Sequence, residues 1–243
     1  MAEIASATPV PLDEARTSPR SKKGVRTRAR LIEAAKVVFE SDGFLEARIA
    51  DIAKTAHLAP GSFYHYFDSK EQIFREVAQA QEERLTAPPE NRSTTGDTAW
   101  ERIRTANRMY LERYRDEAAL MGVIEQVSRY DAHVNAARMA TMKHFVERAE
   151  PAIRRLQHDG GVDRRINPAI AADALGAMVG RFAELWLVHG YREYDFEEAV
   201  EQLTVLWANA LGMAEEPAAV AVPAESVRPA ARRRAPSAEH RAS

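Results

Sequence analysis

The sequence predicts an all-α protein: an N-terminal three-helix helix-turn-helix unit followed by a larger helical body. Three observations carry this. Apolar residues recur at helical spacing between about residue 25 and residue 213, no stretch alternates long enough to support a sheet, and no internal repeat is present. The 243 residues are 45% hydrophobic and 29% charged, enough apolar material for one or two globular units without staples. There is no cysteine, which excludes disulfides, Fe–S clusters, Cys-ligated zinc and thiol catalysis.

Taken in order, residues 1–24 hold Pro9, Pro11 and Pro19 among small and polar residues and read as a disordered basic leader. Helix one is predicted from about Thr27 to Ser41, with Leu31, Ala34, Ala35, Val38 and Phe39 on one face and Asp42-Gly43 as its stop. A short second helix carries Ile49, Ile52, Ala53 and Ala56. His57-Leu58-Ala59 breaks it, and Pro60 restarts a helix at the position where its missing N–H costs nothing. That third helix, to about Tyr66, is expected to bury Phe63 and Phe67 and leave Gly61, Ser62, Tyr64, His65 and Tyr66 partly outward. Ser69 and Gln72 form a capping box for a fourth helix.

The net charge of −2 conceals an asymmetry. Residues 15–75 carry a net of +5 and residues 76–213 a net of −5, and Arg16 to Arg30 holds seven bases and no acid. A basic N-terminal block before an acidic body suits either a polyanion partner or a solvated leader. The helical pattern has the same two readings. Short helices joined by a three-residue turn describe a helix-turn-helix unit, whose third helix enters a DNA groove where Gly61 and Ser62 permit close approach. A generic bundle whose aromatics pack against the rest of the chain has the same periodicity.

Residues 26–72 resemble the DNA-binding domain of TetR-type (tetracycline-repressor-like) transcriptional regulators. The residues that carry the resemblance are Arg30-Leu31-Ile32-Glu33-Ala34-Ala35, Phe39, Gly43-Phe44, Ala50-Asp51-Ile52-Ala53, Pro60-Gly61-Ser62-Phe63-Tyr64-His65-Tyr66-Phe67 and Ser69-Lys70-Glu71. It implies DNA contacts from Pro60, Gly61, Ser62, Tyr64, His65 and Tyr66, and a phosphate contact from Lys70. Arg26 and Arg28 are read as backbone or minor-groove contacts. The chain departs from the family at Arg48, where threonine is common, at His57, where glycine is common, and at Ala59, where a capping serine or threonine is common. Losing two hydroxyl caps weakens those helix starts by about 1 kcal/mol each. His57 must take the turn without glycine's freedom, and Arg48 is available as a charged phosphate contact in place of the lost hydroxyl.

The loop from about Thr86 to Gly96 precedes the body, so the sequence divides into 25–72, 73–213 and a disordered Ala/Pro/Arg tail, 214–243, that includes Arg232, Arg233 and Arg234. Body helices are predicted over about 97–115, 117–127, 131–157, 168–189 and 195–211. The last two carry small residues (Ala174, Gly176, Ala177, Gly180) beside large ones (Phe182, Trp186, Leu203, Leu206, Trp207, Leu211). They are read as a homodimer surface, which two half-sites of a palindromic operator require; packing wholly within one chain is the other reading. Met109, Tyr110, Tyr114, Met121, Met139, Met142, Phe145, Met178, Phe182 and Trp186 are the expected lining of a pocket for a small, hydrophobic effector, or else ordinary core.

No paired carboxylates, nucleophile–base pair or cofactor motif is visible, so neither an enzyme nor a cofactor is expected. His133 and His144 share a helix face, but no third ligand converges on them and no metal is expected. With no apolar run of membrane-spanning length and no secretory h-region, the expected location is cytoplasmic, without membrane contact. The resemblance implies a sequence-specific regulator, a repressor released by its effector; a ligand-independent adaptor or an activator is the alternative.

Overall fold

The computed structural model describes residues 21–88 and 97–213, and the backbone of 228–229. Residues 1–20 of the predicted leader, the loop 89–96 and the tail apart from 228–229, with Arg232, Arg233 and Arg234, lie outside the described residues, whereas residues 21–24 of the predicted leader belong to the start of the first helix. The chain divides into two compact units after Gln81, within the fourth helix, whereas the sequence reading set the boundary at 72/73.

The first unit contains α1 (Lys22–Glu46), α2 (Ile49–Thr55) and α3 (Pro60–Phe63), and most of α4 (Lys70–Thr86). Leu31, Ala35 and Phe39 of α1 have no exposed surface, nor do Ile52 and Ala53 of α2, Phe63, Phe67 or Ile73. The rings of Phe39, Phe44 and Phe74 meet with centroids 4.9–5.8 Å apart. Gly43 breaks α1 with φ 73° and ψ 176°, which is why the helix turns there and Phe44 points back into the core.

Helix α1 starts at Lys22, five residues before the predicted Thr27. Ser21 caps it, its hydroxyl accepting from the Gly24 N–H at 3.1 Å. The predicted capping box at α4 is half present. Ser69 accepts from the Gln72 N–H at 3.2 Å, but the Gln72 carboxamide takes the Asp68 N–H instead of closing on Ser69.

The second unit contains α5 (Ala99–Asp116), α6 (Ala118–Ser128), α7 (Ala132–His158), α8 (Pro168–Ala183) and α9 (Phe196–Ala210). Their starts follow from local chemistry. Thr98 and Glu101 make a full capping box, and Asp131, Asn167 and Asp195 accept the first free N–H groups of α7, α8 and α9. Helix α7 packs along α8 and α5 along α9. One core joins Ile153, Val162, Ala172, Leu175 and Leu211.

The predicted continuous helix to His189 is instead α8 followed by a π-helical turn, Glu184–Val188. One strand pairing occurs among the described residues. Two-residue strands β1 (Arg192–Glu193) and β2 (Arg228–Pro229) run antiparallel, too short to alter an all-α fold. No helix of the described residues is long and apolar enough to cross a membrane.

Candidate nucleic-acid interface

The segment 57–70 is positioned by three local devices. The first is the end of α2. The His57 N–H donates to the Lys54 carbonyl and the Leu58 N–H to the Ala53 carbonyl, both at 2.9 Å, the paired closure of a Schellman turn. That closure needs a left-handed residue, and His57 has φ 53°, as its place in the turn predicted. The second device is Phe63 with Phe67, both fully buried, their rings 5.6 Å apart, which anchor α3 from behind. The third is Lys70. Its ammonium donates to the carbonyls of Phe44 (2.7 Å), Ala47 (2.9 Å) and Leu45 (3.1 Å), and lies 4.7 Å from the centroid of the Phe44 ring.

What these devices leave outward is the predicted set. Pro60, Gly61, Tyr64 and His65 are exposed, and Ser62 and Tyr66 are half-buried. Tyr64, at 60%, is among the most exposed large side chains of the protein. Helix α3 is shorter than predicted, ending at Phe63. The chain continues to Tyr66 through tighter i→i+3 bonds, His65 N–H to Ser62 and Tyr66 N–H to Phe63. A Cβ built on Gly61 meets nothing within 4 Å, so nothing in the fold itself requires glycine there. Arg48 and Ala59 stand at the starts of α2 and α3 without side-chain caps, as their sequence departures imply. Arg48 is exposed.

The basic residues before and within α1 separate into two kinds. Lys22, Lys23 and Arg26 are exposed in a first stretch of helix that contains no acid, where the positive helix N-terminus disfavours them. Arg28 is turned inward. It pairs with Glu76 and lies 4.8 Å over the Phe67 ring, so the predicted DNA contact at Arg28 has an intramolecular occupation instead. Lys70 is reassigned for the same reason, since three backbone carbonyls already engage its ammonium. A shallow groove of about 470 Å³ between α1 and α2 has Asp42 and Asp51 beside Lys54, a mixed lining unsuited to a polyanion.

The rings among the expected effector residues fall in two clusters. Tyr110, Tyr114 and Phe145 form one ring cluster, with centroids 5.4–5.7 Å apart. Phe182 and Trp186 belong to another, with Tyr194 and Phe196. Met121 is buried and Met109 half-buried, and Met178 packs on the core of Ile153 and Leu175. Met139 and Met142 are exposed on α7, at 48% and 42%, which corrects their expected place in a lining.

Pattern reading also missed polar groups in this interior. Burial pushes the Glu82 carboxyl above the ordinary glutamate range, against opposing effects of the Thr141 hydroxyl and Arg138. Burial likewise raises the Tyr110 and Tyr114 phenols. Arg138 donates to the Ser128 hydroxyl at 2.9 Å, and Asn107 donates to the buried Thr204 hydroxyl at 3.3 Å. The available signal was polar residues at apolar positions of the helical period, Asn107 one turn before Leu111 above all.

Residues 31–77 match the family model of bacterial regulatory proteins, tetR family. The chain is 47% identical over 55 residues to the uncharacterized HTH-type transcriptional regulator YdgC of Bacillus subtilis, covering 23% of this chain and 28% of that one. It is 36% identical over 61 residues to the HTH-type transcriptional regulator UidR of Escherichia coli, covering 25% and 31%. The match thus spans less than a third of these relatives' length. The fold agrees over more of the chain with the fatty acid degradation regulator FadR of Bacillus halodurans. The TM-score is 0.62 at 16% identity, covering 81% of this chain and 100% of that one.

Proposed function

We propose that this chain, whose residues 31–77 match the family model of bacterial regulatory proteins, tetR family, is a sequence-specific transcriptional regulator that reads an operator as a homodimer. The observation that carries the reading is the segment Pro60–Tyr66. It is held rigidly from behind by Phe63 and Phe67 yet presents Gly61, Tyr64 and His65 outward. In this reading Pro60, Gly61, Ser62, Tyr64, His65 and Tyr66 meet the groove and its phosphates, while Arg26 and Arg48, with Lys22 and Lys23, follow the backbone. Arg28 and Lys70 are left out because they hold the unit together.

The homodimer forms through α8 and α9. Ile170 and Leu206 are exposed there at 66% and 50%, with Ala174 and Ala177 exposed beside them. A two-fold assembly places two recognition segments on half-sites of a palindrome about 34–36 Å apart. The protein acts as a repressor that a small effector releases, an effect that requires different affinities for the DNA-bound and free states. The interior around Tyr110, Tyr114, Phe145 and Arg138 supports an effector site that is apolar with polar groups inside it, rather than a purely hydrophobic one.

The test is fluorescence anisotropy with duplexes from the protein's own promoter region at low salt. Wild-type protein binds a specific duplex, and Tyr64→Ala and His65→Ala change the preference among duplexes while leaving the melting temperature unaltered. Absence of specific binding, with and without cell extract as a source of effector, overturns the regulator reading. A promoter fusion then gives the sign of control.

A further inference from the structure

The body holds a donor set that the regulator reading leaves unused. Glu125 lies near the end of α6, Glu184 opens the π turn and His189 follows it. One ligating atom of each lies within 4.8 Å of the others. His189 Nε2 is 3.4 Å from Glu184 Oε1, close to the ligand–ligand edge of a tetrahedral ion whose bonds are about 2.0–2.2 Å.

Two structural features build this arrangement. In the π turn the His189 N–H donates to the Glu184 carbonyl at 3.1 Å, which closes the turn over five residues and brings both side chains together. The second is Gly122, where a Cβ would stand 2.8 Å from Val188 Cγ1. The missing side chain lets α6 close on the π turn, and Glu125 follows three residues later on the same face.

Glu184 is only 7% exposed, and a buried carboxylate beside a second carboxylate is stable only with positive charge nearby, which two arginines supply in this structure and a metal ion can supply in their place. Arg181 pairs with Glu184, and Arg129 Nε donates to Glu125 Oε1 at 2.9 Å. Both arginine side chains are largely in solvent, 59% and 71% exposed. They can swing away or take the outer carboxylate oxygens without disturbing the core. His189 is exposed too, which gives an ion a path in.

We propose that Glu125, Glu184 and His189 bind a divalent transition-metal ion through two carboxylate oxygens and one imidazole nitrogen, with a coordination position open to solvent. The mixed oxygen and nitrogen set, without thiolate, suits Zn²⁺, Co²⁺ or Mn²⁺ and not Cu⁺. Mg²⁺ prefers an all-oxygen octahedron and keeps its water. The bound ion ties α6 to the end of α8.

The experiment uses the full chain, free of any affinity tag and stripped by chelator, titrated with ZnCl₂ in a calorimeter and with CoCl₂ in a spectrophotometer. The expected result is one Zn²⁺ per chain at micromolar affinity and a visible Co²⁺ band of low coordination number. MgCl₂ gives no heat of binding. His189→Ala, at an exposed position, and Glu125→Gln, which keeps the size of a side chain only 14% exposed, each weaken Zn²⁺ binding by more than about tenfold while the protein stays folded by circular dichroism. Glu184→Gln is a secondary variant because its burial puts folding at risk; should His189→Ala unfold, His189→Gln replaces it, and should Glu125→Gln unfold, Glu125→Ala replaces it. No saturable binding at about millimolar Zn²⁺, or weakening in only one of the two ligand variants, overturns the site.

Discussion

The ammonium of Lys70 donates to the backbone carbonyl of Ala47 at 2.9 Å, and the same group reaches the carbonyls of Phe44 and Leu45. A side chain at the start of α4 therefore closes the end of α1. Lys70→Met leaves these carbonyls without their charged donor and lowers the stability of the first unit by about 2 kcal/mol. Arginine does not rescue it, because a planar fork cannot direct its donors at three converging oxygens. Thermal denaturation checks the loss. Below the melting transition, the salt slope of DNA binding in Lys70→Met stays that of wild type, whereas a phosphate contact at Lys70 would reduce it by about one.

His57 holds a left-handed conformation that costs a side-chain-bearing residue about 1–2 kcal/mol. His57→Gly removes that cost but loosens the unfolded chain by about 0.4–1 kcal/mol. The expected net gain is about 0.5 kcal/mol, read as a small rise in melting temperature. His57→Val is destabilising, since β-branched residues are poorest at positive φ. Equal melting of the glycine and valine variants contradicts the strained turn.

The elements that were legible in the sequence are those set by neighbours along the chain. Gly43, Pro60, Pro168 and Asp195 mark helix ends through their own backbone or side-chain chemistry, and Phe63 and Phe67 follow from the period of the segment. What was not legible depends on residues far apart. Lys70 looks like any exposed base at a helix start until its partners twenty-three to twenty-six residues earlier are placed beside it. Arg28 is claimed by Glu76 in the same way. The π turn depends on Gly122, in another helix, giving Val188 room. Methionine and aromatic periodicity identified faces of the body helices but not which face opposes which, so Met139 and Met142 were assigned to an interior they do not enter.

The bases at the start of α1 stand against the helix dipole, with Lys22 and Lys23 in a first turn that has no acid. Lys23→Glu reverses this and strengthens the helix start by about 0.3–1 kcal/mol. The same substitution weakens binding to every duplex alike and flattens its salt dependence. Arg26→Ala behaves similarly toward DNA without the gain in stability. A Lys23→Glu protein that binds DNA as tightly as wild type removes α1 from the proposed interface.

Gly61 has no positive φ, and a methyl group there would enter open space. Gly61→Ala therefore leaves the fold intact and gains up to about 1 kcal/mol from helix propensity. If the backbone at this position approaches DNA closely, the added methyl lowers operator affinity while the melting temperature holds or rises. Anisotropy titration beside a thermal melt separates the two effects. Unchanged operator affinity places the closest approach elsewhere along the segment.

Glu82 gives the second unit a pH dependence whose sign is fixed by its environment. Burial raises its carboxyl above the ordinary value of 4.5, so the folded state holds the proton more tightly than the unfolded chain does. Its contribution to stability is then fully present below pH 4.5 and is lost as the pH rises through the raised value. Glu82→Gln keeps the shape and removes the titration. The variant should melt with the wild type near pH 4 and above it near pH 8, the gap opening between. Thr141 and Arg138 favour the charged form and oppose this trend. A variant that melts below the wild type at neutral pH would show that their attraction outweighs the cost of burying the charge.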